Sequence, residues 1–140
     1  ASFICFSMLN SAIKYTNLSK KFRTYYSPNM NGKYPKNLEA EIEFGGHAFI
    51  SPSQDYLIVD ARNKVDKSQK ADFYVYFKKK DGAWSQPINL GITVNSTFDE
   101  TVATVTPDGK YLIFSRRTEG RELNLYWVST EVIENVRPKL

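Results

Sequence analysis

Thr106-Pro107-Asp108-Gly109-Lys110-Tyr111-Leu112-Ile113-Phe114 has an earlier counterpart in Ser51-Pro52-Ser53-Gln54-Asp55-Tyr56-Leu57-Ile58-Val59. Each copy is a hydroxyl residue, a proline, a polar turn, then Tyr-Leu-Ile and one more apolar residue. Pro52 and Pro107 stand 55 residues apart. Self-similarity on this scale marks stacked units or blades, because one unit cannot bury its own apolar face. The architecture is therefore legible, whereas no motif identifies a reaction.

The repetition extends on both sides of the turn. Asp72-Phe73-Tyr74-Val75 follows the first copy and Asn124-Leu125-Tyr126-Trp127-Val128 follows the second, with a third relative in Arg23-Thr24-Tyr25-Tyr26-Ser27. Two of these strands lead to a further shared element. Asn31-Gly32-Lys33-Tyr34 precedes Lys36-Asn37-Leu38, and Asp81-Gly82-Ala83-Trp84 precedes Ile88-Asn89-Leu90-Gly91. Asn-Gly and Asp-Gly tolerate positive φ and close tight hairpins. Pro107-Asp108-Gly109 is a turn in which proline fixes φ and glycine releases it. The Tyr-Leu-Ile runs are short, apolar and β-branched or aromatic, so they read as buried strands.

The unit is thus strand, tight turn, strand, loop, strand, hairpin, strand: a four-stranded antiparallel blade. Three units fit a single all-β domain over 1–140. The first covers about 1–44, with strands near Phe3–Ser7, Ile13–Asn17, Phe22–Ser27 and Lys33–Glu39. The second covers about 45–98, with strands near Ala48–Ser51, Tyr56–Ala61, Asp72–Lys78 and Trp84–Leu90. The third covers about 99–140, with strands near Val102–Thr106, Tyr111–Arg116 and Leu123–Ser129. It ends in a short helix over 130–136, predicted from Thr130 as N-cap, Glu131 and Glu134, and apolar residues at 132, 133 and 136, with Pro138 as the stop.

These residues resemble the TolB-type, WD-like β-propeller repeat family. Its pattern is Ser/Thr-Pro-Asp-Gly-Lys-x-Leu-x-Phe, an arginine-bearing loop, then Asp-Leu-Tyr-Val, and residues 106–114 match it at nearly every position. Arg116 and Arg117 stand where the family has its loop arginine, and Asn124 where it usually has aspartate. In the second unit Arg62 and Asp72 keep both loop partners, while Ser53-Gln54-Asp55 departs from Asp-Gly-Lys. In the first, Met8-Leu9-Asn10-Ser11 replaces the proline turn. The resemblance implies a six-bladed propeller, commonly periplasmic or secreted, serving as a docking platform or as a gate before a peptidase. The Tyr126-Trp127-Val128 strand and the helix after it look like the C-terminus of such proteins. Propellers close with about four to eight blades, so three units imply a partial propeller, or a protomer that pairs with a second copy as a homodimer.

Composition narrows the function classes. Net charge is +4 from 19 basic and 15 acidic residues with the signs interspersed, which gives solubility and no nucleic-acid footprint. Lys78-Lys79-Lys80 reads as a solvated hairpin tip. Cys5 is the single cysteine, so neither an intrachain disulfide nor a cysteine-based metal site is expected. No stretch approaches the roughly 20 apolar residues that cross a bilayer, and Ala1–Leu9 lacks the basic start of a signal peptide.

His47, the single histidine, could serve Ser51 as a base, but there is no Gly-x-Ser-x-Gly elbow to present a nucleophile. A hydrogen bond or ligand contact at the channel rim fits it better, and Asp99 and Glu100, which open the third unit, are candidates for the same rim. Glu39, Glu41 and Glu43 alternate along one face, as on a half-buried edge strand. Arg62 with Asp72, and Arg116 or Arg117 with Glu119 or Asn124, are expected as structural ion pairs between loop and strand. Pro52, Pro107, Asp108 and Gly109 build turns. Trp84 and Trp127 read as core. Asn17-Leu18-Ser19 and Asn95-Ser96-Thr97 match the glycosylation pattern. No catalytic residue, metal or cofactor is assigned. The expected function is a rigid platform that binds a protein, peptide or glycan. The competing reading is an enzyme-associated propeller whose catalytic residues lie outside this chain.

Overall fold

A computed structural model describes the backbone of the strands at 2–6, 11–18, 21–28 and 40–42, and residues 46–62, 70–120 and 122–139 with their side chains. The described residues are all-β apart from one helical turn, and every described strand pair is antiparallel. The first sheet runs β1 (Ser2–Phe6), β2 (Ser11–Leu18), β3 (Lys21–Pro28) and β4 (Ala40–Ile42) in chain order. The second runs β5 (Ala48–Ile50), β6 (Tyr56–Arg62), β7 (Ala71–Phe77) and β8 (Ile88–Asn89). The third has three strands, β9 (Asp99–Val105), β10 (Tyr111–Arg117) and β11 (Leu123–Ser129), followed by α1 (Glu131–Glu134).

The twin turns fold alike, and their hydroxyl residue explains why. Ser51 Oγ accepts the Tyr56 N–H at 3.2 Å, and Thr106 Oγ1 accepts the Tyr111 N–H at 3.1 Å. The Ser51 N–H donates to Tyr56 O at 3.0 Å, and the Thr106 N–H donates to Tyr111 O at 2.9 Å. Gly109 takes φ +73°, the left-handed value its missing Cβ makes accessible. Gln54 takes φ +59° at the matching position, so the first copy makes the same turn without the glycine. The equivalence continues into the following strands, where the Lys78 N–H donates to Asp55 O and the Thr130 N–H to Lys110 O.

Three expectations shift, and a fourth lies outside the described residues. The strand expected at Lys33–Glu39 falls outside the described residues, and the described fourth strand of the first sheet is Ala40–Ile42. The strand expected over Trp84–Leu90 shortens to Ile88–Asn89, joined by an isolated Lys78–Trp84 bridge. Pro87 lacks an N–H for the ladder, and Ser85 Oγ instead accepts the Phe77 N–H at 3.0 Å. β9 begins three residues early and carries a bulge, where Val102 adopts φ +57°. Thr130 makes no side-chain cap for α1, because its hydroxyl donates to Gly109 O at 2.7 Å and ties the helix to the turn.

The second sheet is covered on both faces. Ile58, Phe73, Val75 and Phe77 meet Leu112 and Phe114 of the third sheet, with Leu90, Val94 and Ile133 completing this cluster. On the other face Ile50, Leu57, Val59 and Tyr76 form a second buried cluster. Alternation along each strand divides the two sets. Among the described residues, the third sheet is covered on one face only. Tyr111, Leu123, Leu125 and Trp127 are exposed large apolar side chains.

Candidate functional site

Asp60 on β6 ties the entries of the second and third sheets together. Its carboxylate accepts the backbone N–H of His47 at 2.9 Å through Oδ1 and that of Val102 at 3.0 Å through Oδ2. His47 and Val102 are equivalent positions of their units, each just ahead of a matched Ala (Ala48, Ala103). One buried carboxylate thus bridges two repeats and holds Val102 in a backbone conformation that β-branched residues rarely take. Gly46 is required beside it, because a Cβ there would lie 2.6 Å from Asp60 Oδ1. His47 Nδ1 sits 2.8 Å from Asp60 Oδ2 while the rest of the ring faces solvent. His47 is therefore an exposed residue oriented by an aspartate. It does not serve Ser51, whose hydroxyl donates to Asp55 Oδ1 at 2.8 Å and is 1% exposed.

The other rim candidates separate. Asp99 is half-buried, accepts the Ala71 N–H at 2.9 Å and lies 3.8 Å from Arg62 Nη2. Glu100 is fully buried, so the expected ligand contact is corrected to a structural one. Its Oε1 accepts Arg116 Nε–H at 2.7 Å, and its Oε2 accepts the Ser96 N–H at 3.2 Å. Arg116 also donates to Val94 O at 2.9 Å and lies over the Tyr126 ring, 4.5 Å from its centroid.

The expected loop pairs are corrected in the same way. Arg62 pairs with Asp99 and not with Asp72, whose Oδ2 accepts from Asn89 Nδ2 at 2.9 Å. Arg116 pairs with Glu100 and not with Glu119 or Asn124. Arg117 is exposed at the end of β10 and makes no ion pair among the described residues. In each case the partner comes from a different strand or the next unit, at a sequence distance that local spacing does not reveal. The Asn95 glycosylation pattern is unusable, because Asn95 is buried. Its Nδ2 donates to Phe73 O and Asn89 Oδ1, and its Oδ1 accepts the Phe73 N–H. Asn17 and Glu41 lie in described strands, whereas Glu39 and Glu43 fall outside the described residues. Among the described residues no group of three or more His, Cys, Asp or Glu could hold a metal ion, and no helix is long and apolar enough to cross a membrane.

At the foot of the second sheet Arg137 joins α1 to the first turn. Its Nη2 donates to Asp55 Oδ2 at 2.9 Å, its Nε to Glu134 Oε2 at 2.7 Å, and its guanidinium covers the Phe77 ring at 4.4 Å. Burial pushes the Asp55 carboxyl upward, but the Ser53 and Ser51 hydroxyls and Arg137 outweigh it and hold the carboxyl below its usual range. Burial, with Asp55 and Glu134 nearby, pushes the Tyr56 phenol up to about 12. In the unfolded chain the phenol ionises near its ordinary value of about 10. The neutral ring therefore favours the fold fully below pH 10, and that contribution disappears between pH 10 and 12. Urea midpoints of Tyr56→Phe and wild type should agree below pH 10 and diverge on the alkaline side, the variant falling less steeply. Parallel curves would show that Tyr56 does not control this loss.

A groove among the described residues lies on the open face of the third sheet. Thr106, Tyr111, Ile113, Leu125, Tyr126 and Trp127 line it, and its volume is about 470 Å³. Trp127, expected in the core, is 68% exposed, and Tyr111 meets it edge-on with ring centroids 5.1 Å apart. The repeat could have revealed this face only through knowledge of what packs on it.

No family model and no solved structure matches this chain. It is 28% identical to the isoleucine–tRNA ligase of Bacillus cereus (strain B4264) and to isoleucine–tRNA ligase 1 of Bacillus anthracis, over 64% of this chain and 11% of each ligase. The ligase of Bacillus mycoides (strain KBAB4) gives the same values. The chain thus spans about a tenth of the length of these curated relatives.

Proposed function

We propose that this chain is a non-enzymatic binding platform built from propeller-type repeat units, which recognises a protein, peptide or glycan on the face that its third sheet leaves open. The observation that carries this reading is a contrast between equivalent residues. Aligning Tyr56 with Tyr111 and Tyr74 with Tyr126 makes Ile58, Phe73 and Val75 the counterparts of Ile113, Leu125 and Trp127. The first three are completely buried against the third sheet, whereas Leu125 is 76% exposed and Trp127 68%. A face whose twin is core, left open and lined with aromatic groups, is a binding surface in waiting. The two in-line sheets, the shared turns and the resemblance to TolB-type repeats support the propeller reading. The best-placed polar residues are engaged in holding the fold: Glu100 by Arg116, Ser51 by Asp55, and Asp60 by two backbone N–H groups.

Peptide and glycan arrays probed with the labelled chain separate the two functional readings. The platform predicts hits that disappear with Trp127→Lys and ligands that are recovered chemically intact. Hydrolysis of a hit, abolished by His47→Ala, would overturn the platform in favour of an enzyme.

A further inference from the structure

We propose that the free edge of β11 is a strand-binding site, which takes an extended peptide of alternating apolar and polar residues from another molecule. The inference rests on reading the second and third sheets as copies of one unit, and it names the ligand class for the open face.

The second sheet shows what the seat looks like when filled. Along β7 the backbone groups of Phe73, Val75 and Phe77 point away from β6. The Phe73 N–H is taken by Asn95 Oδ1 and its carbonyl by Leu90 N–H, while Phe77 is bracketed by Ser85 through its Oγ and its N–H. Between them Val75 stands opposite Ile88, and Tyr74 opposite Asn89. That edge is satisfied throughout, and Ile88 and Leu90 add their side chains to the apolar cluster of Phe73 and Val75.

Among the described residues the same edge is unpaired in the third sheet, whose strand order ends at β11. β11 pairs with β10 in the register Leu112↔Val128 and Phe114↔Tyr126, and the Thr130 N–H donates to Lys110 O. Antiparallel ladders alternate, so Tyr126 and Val128 turn their backbone groups to β10. Leu125 and Trp127 turn theirs to the open edge, and these two residues also carry the exposed side chains of the groove.

Natural sheets blunt free edges with charge, proline or very short strands. β11 is seven residues long, Leu-Asn-Leu-Tyr-Trp-Val-Ser, with neither charge nor proline. Transposing the β8 pairing puts an Ile-like residue opposite Trp127, an Asn-like one opposite Tyr126 and a Leu-like one beside Leu125. Both apolar side chains then land on the groove face. In strand addition the main chain supplies affinity and alternate side-chain pockets supply selectivity. An edge of unpaired N–H and C=O groups is matched by another backbone, which a glycan does not offer.

The probe is a fluorescein-labelled synthetic peptide spanning Gln86 to Thr93, the chain's own occupant of the equivalent seat. It is titrated with the full chain, read by anisotropy, and the mass of the free chain is measured by light scattering. Saturable binding is expected, weakened about tenfold or more by Trp127→Lys in the protein, by Ile88→Lys in the peptide, and by methylating the Ile88 nitrogen of the peptide. Glu119→Lys, exposed in the turn after β10, should bind as wild type and controls for folding.

Absence of saturation, or equal binding of the N-methylated peptide, overturns the proposal. So does a stable dimer that the peptide does not dissociate, which would assign the edge to a second copy of the chain. Amide exchange in β6 and β7 separates this failure from a failure of the repeat-unit reading. Rapid exchange of Val59 and Phe73 would remove the unit itself, whereas slow exchange without peptide binding removes only the seat.

Discussion

Arg116→Ala should lower the stability of the chain by about 3–5 kcal/mol, the cost of leaving a buried charge without its partner. Glu100 has no exposed surface, and Arg116 is its only cation among the described residues, at 2.7 Å with a side chain 18% exposed. The remaining Glu100 partners, the Ser96 hydroxyl and N–H, are neutral. The variant also loses the bond to Val94 O, which fixes the loop between β8 and β9, and the cation–π contact with Tyr126. Urea unfolding measures the effect. Arg117→Ala, one residue on but exposed, should change stability by no more than about 0.5 kcal/mol. Adding Glu100→Gln to Arg116→Ala should restore part of the loss, because it removes the stranded charge. A loss under about 1 kcal/mol for Arg116→Ala, or no recovery in the double variant, would mean that water or a shifted side chain solvates Glu100.

Phe73→Ala should cost about 3–5 kcal/mol, as expected for a large aromatic removed from a core that cannot collapse around the gap. Phe73 is completely buried, meets Phe114 edge-on with centroids 5.5 Å apart, and contributes to the cluster joining the second and third sheets. Its repeat counterpart is Leu125, 76% exposed. Leu125→Ala should therefore change the stability of the free chain by no more than about 0.5 kcal/mol, although the two residues occupy the same position of the same strand. The pair measures the packing of one unit on the next. Equal losses at both positions would show that the open face of the third sheet is covered in solution, and the groove would not be free to bind.

Much of the fold was legible because it rests on local chemistry. The Ser51 and Thr106 hydroxyls, Pro52 and Pro107, and the Asp81-Gly82 hairpin act within a few residues of themselves. The repeat then carried the strand pattern from one unit to another. Gln54 shows that the turn survives loss of the glycine when the hydroxyl and the flanking strands remain. The site was less legible. Asp60 is an aspartate inside an apolar strand, unremarkable in sequence until two strand entries, His47 and Val102, converge on its carboxylate. The arginine pairs form across strands, beyond the reach of local spacing.

The sequence by itself determined which residues alternate to each side of each strand, where the chain turns, and that one unit recurs. It could not determine which sides are covered. Phe73-Tyr74-Val75 and Leu125-Tyr126-Trp127 carry the same apolar spacing, and only the stacking of the third sheet on the second makes one triplet core and leaves the other open. Likewise Glu100 and Asp99 are chain neighbours of equal charge, yet the pleat turns one into the sheet interface to meet Arg116 and leaves the other near the surface. Burial is a property of what a face meets, and the chain's local chemistry does not encode it.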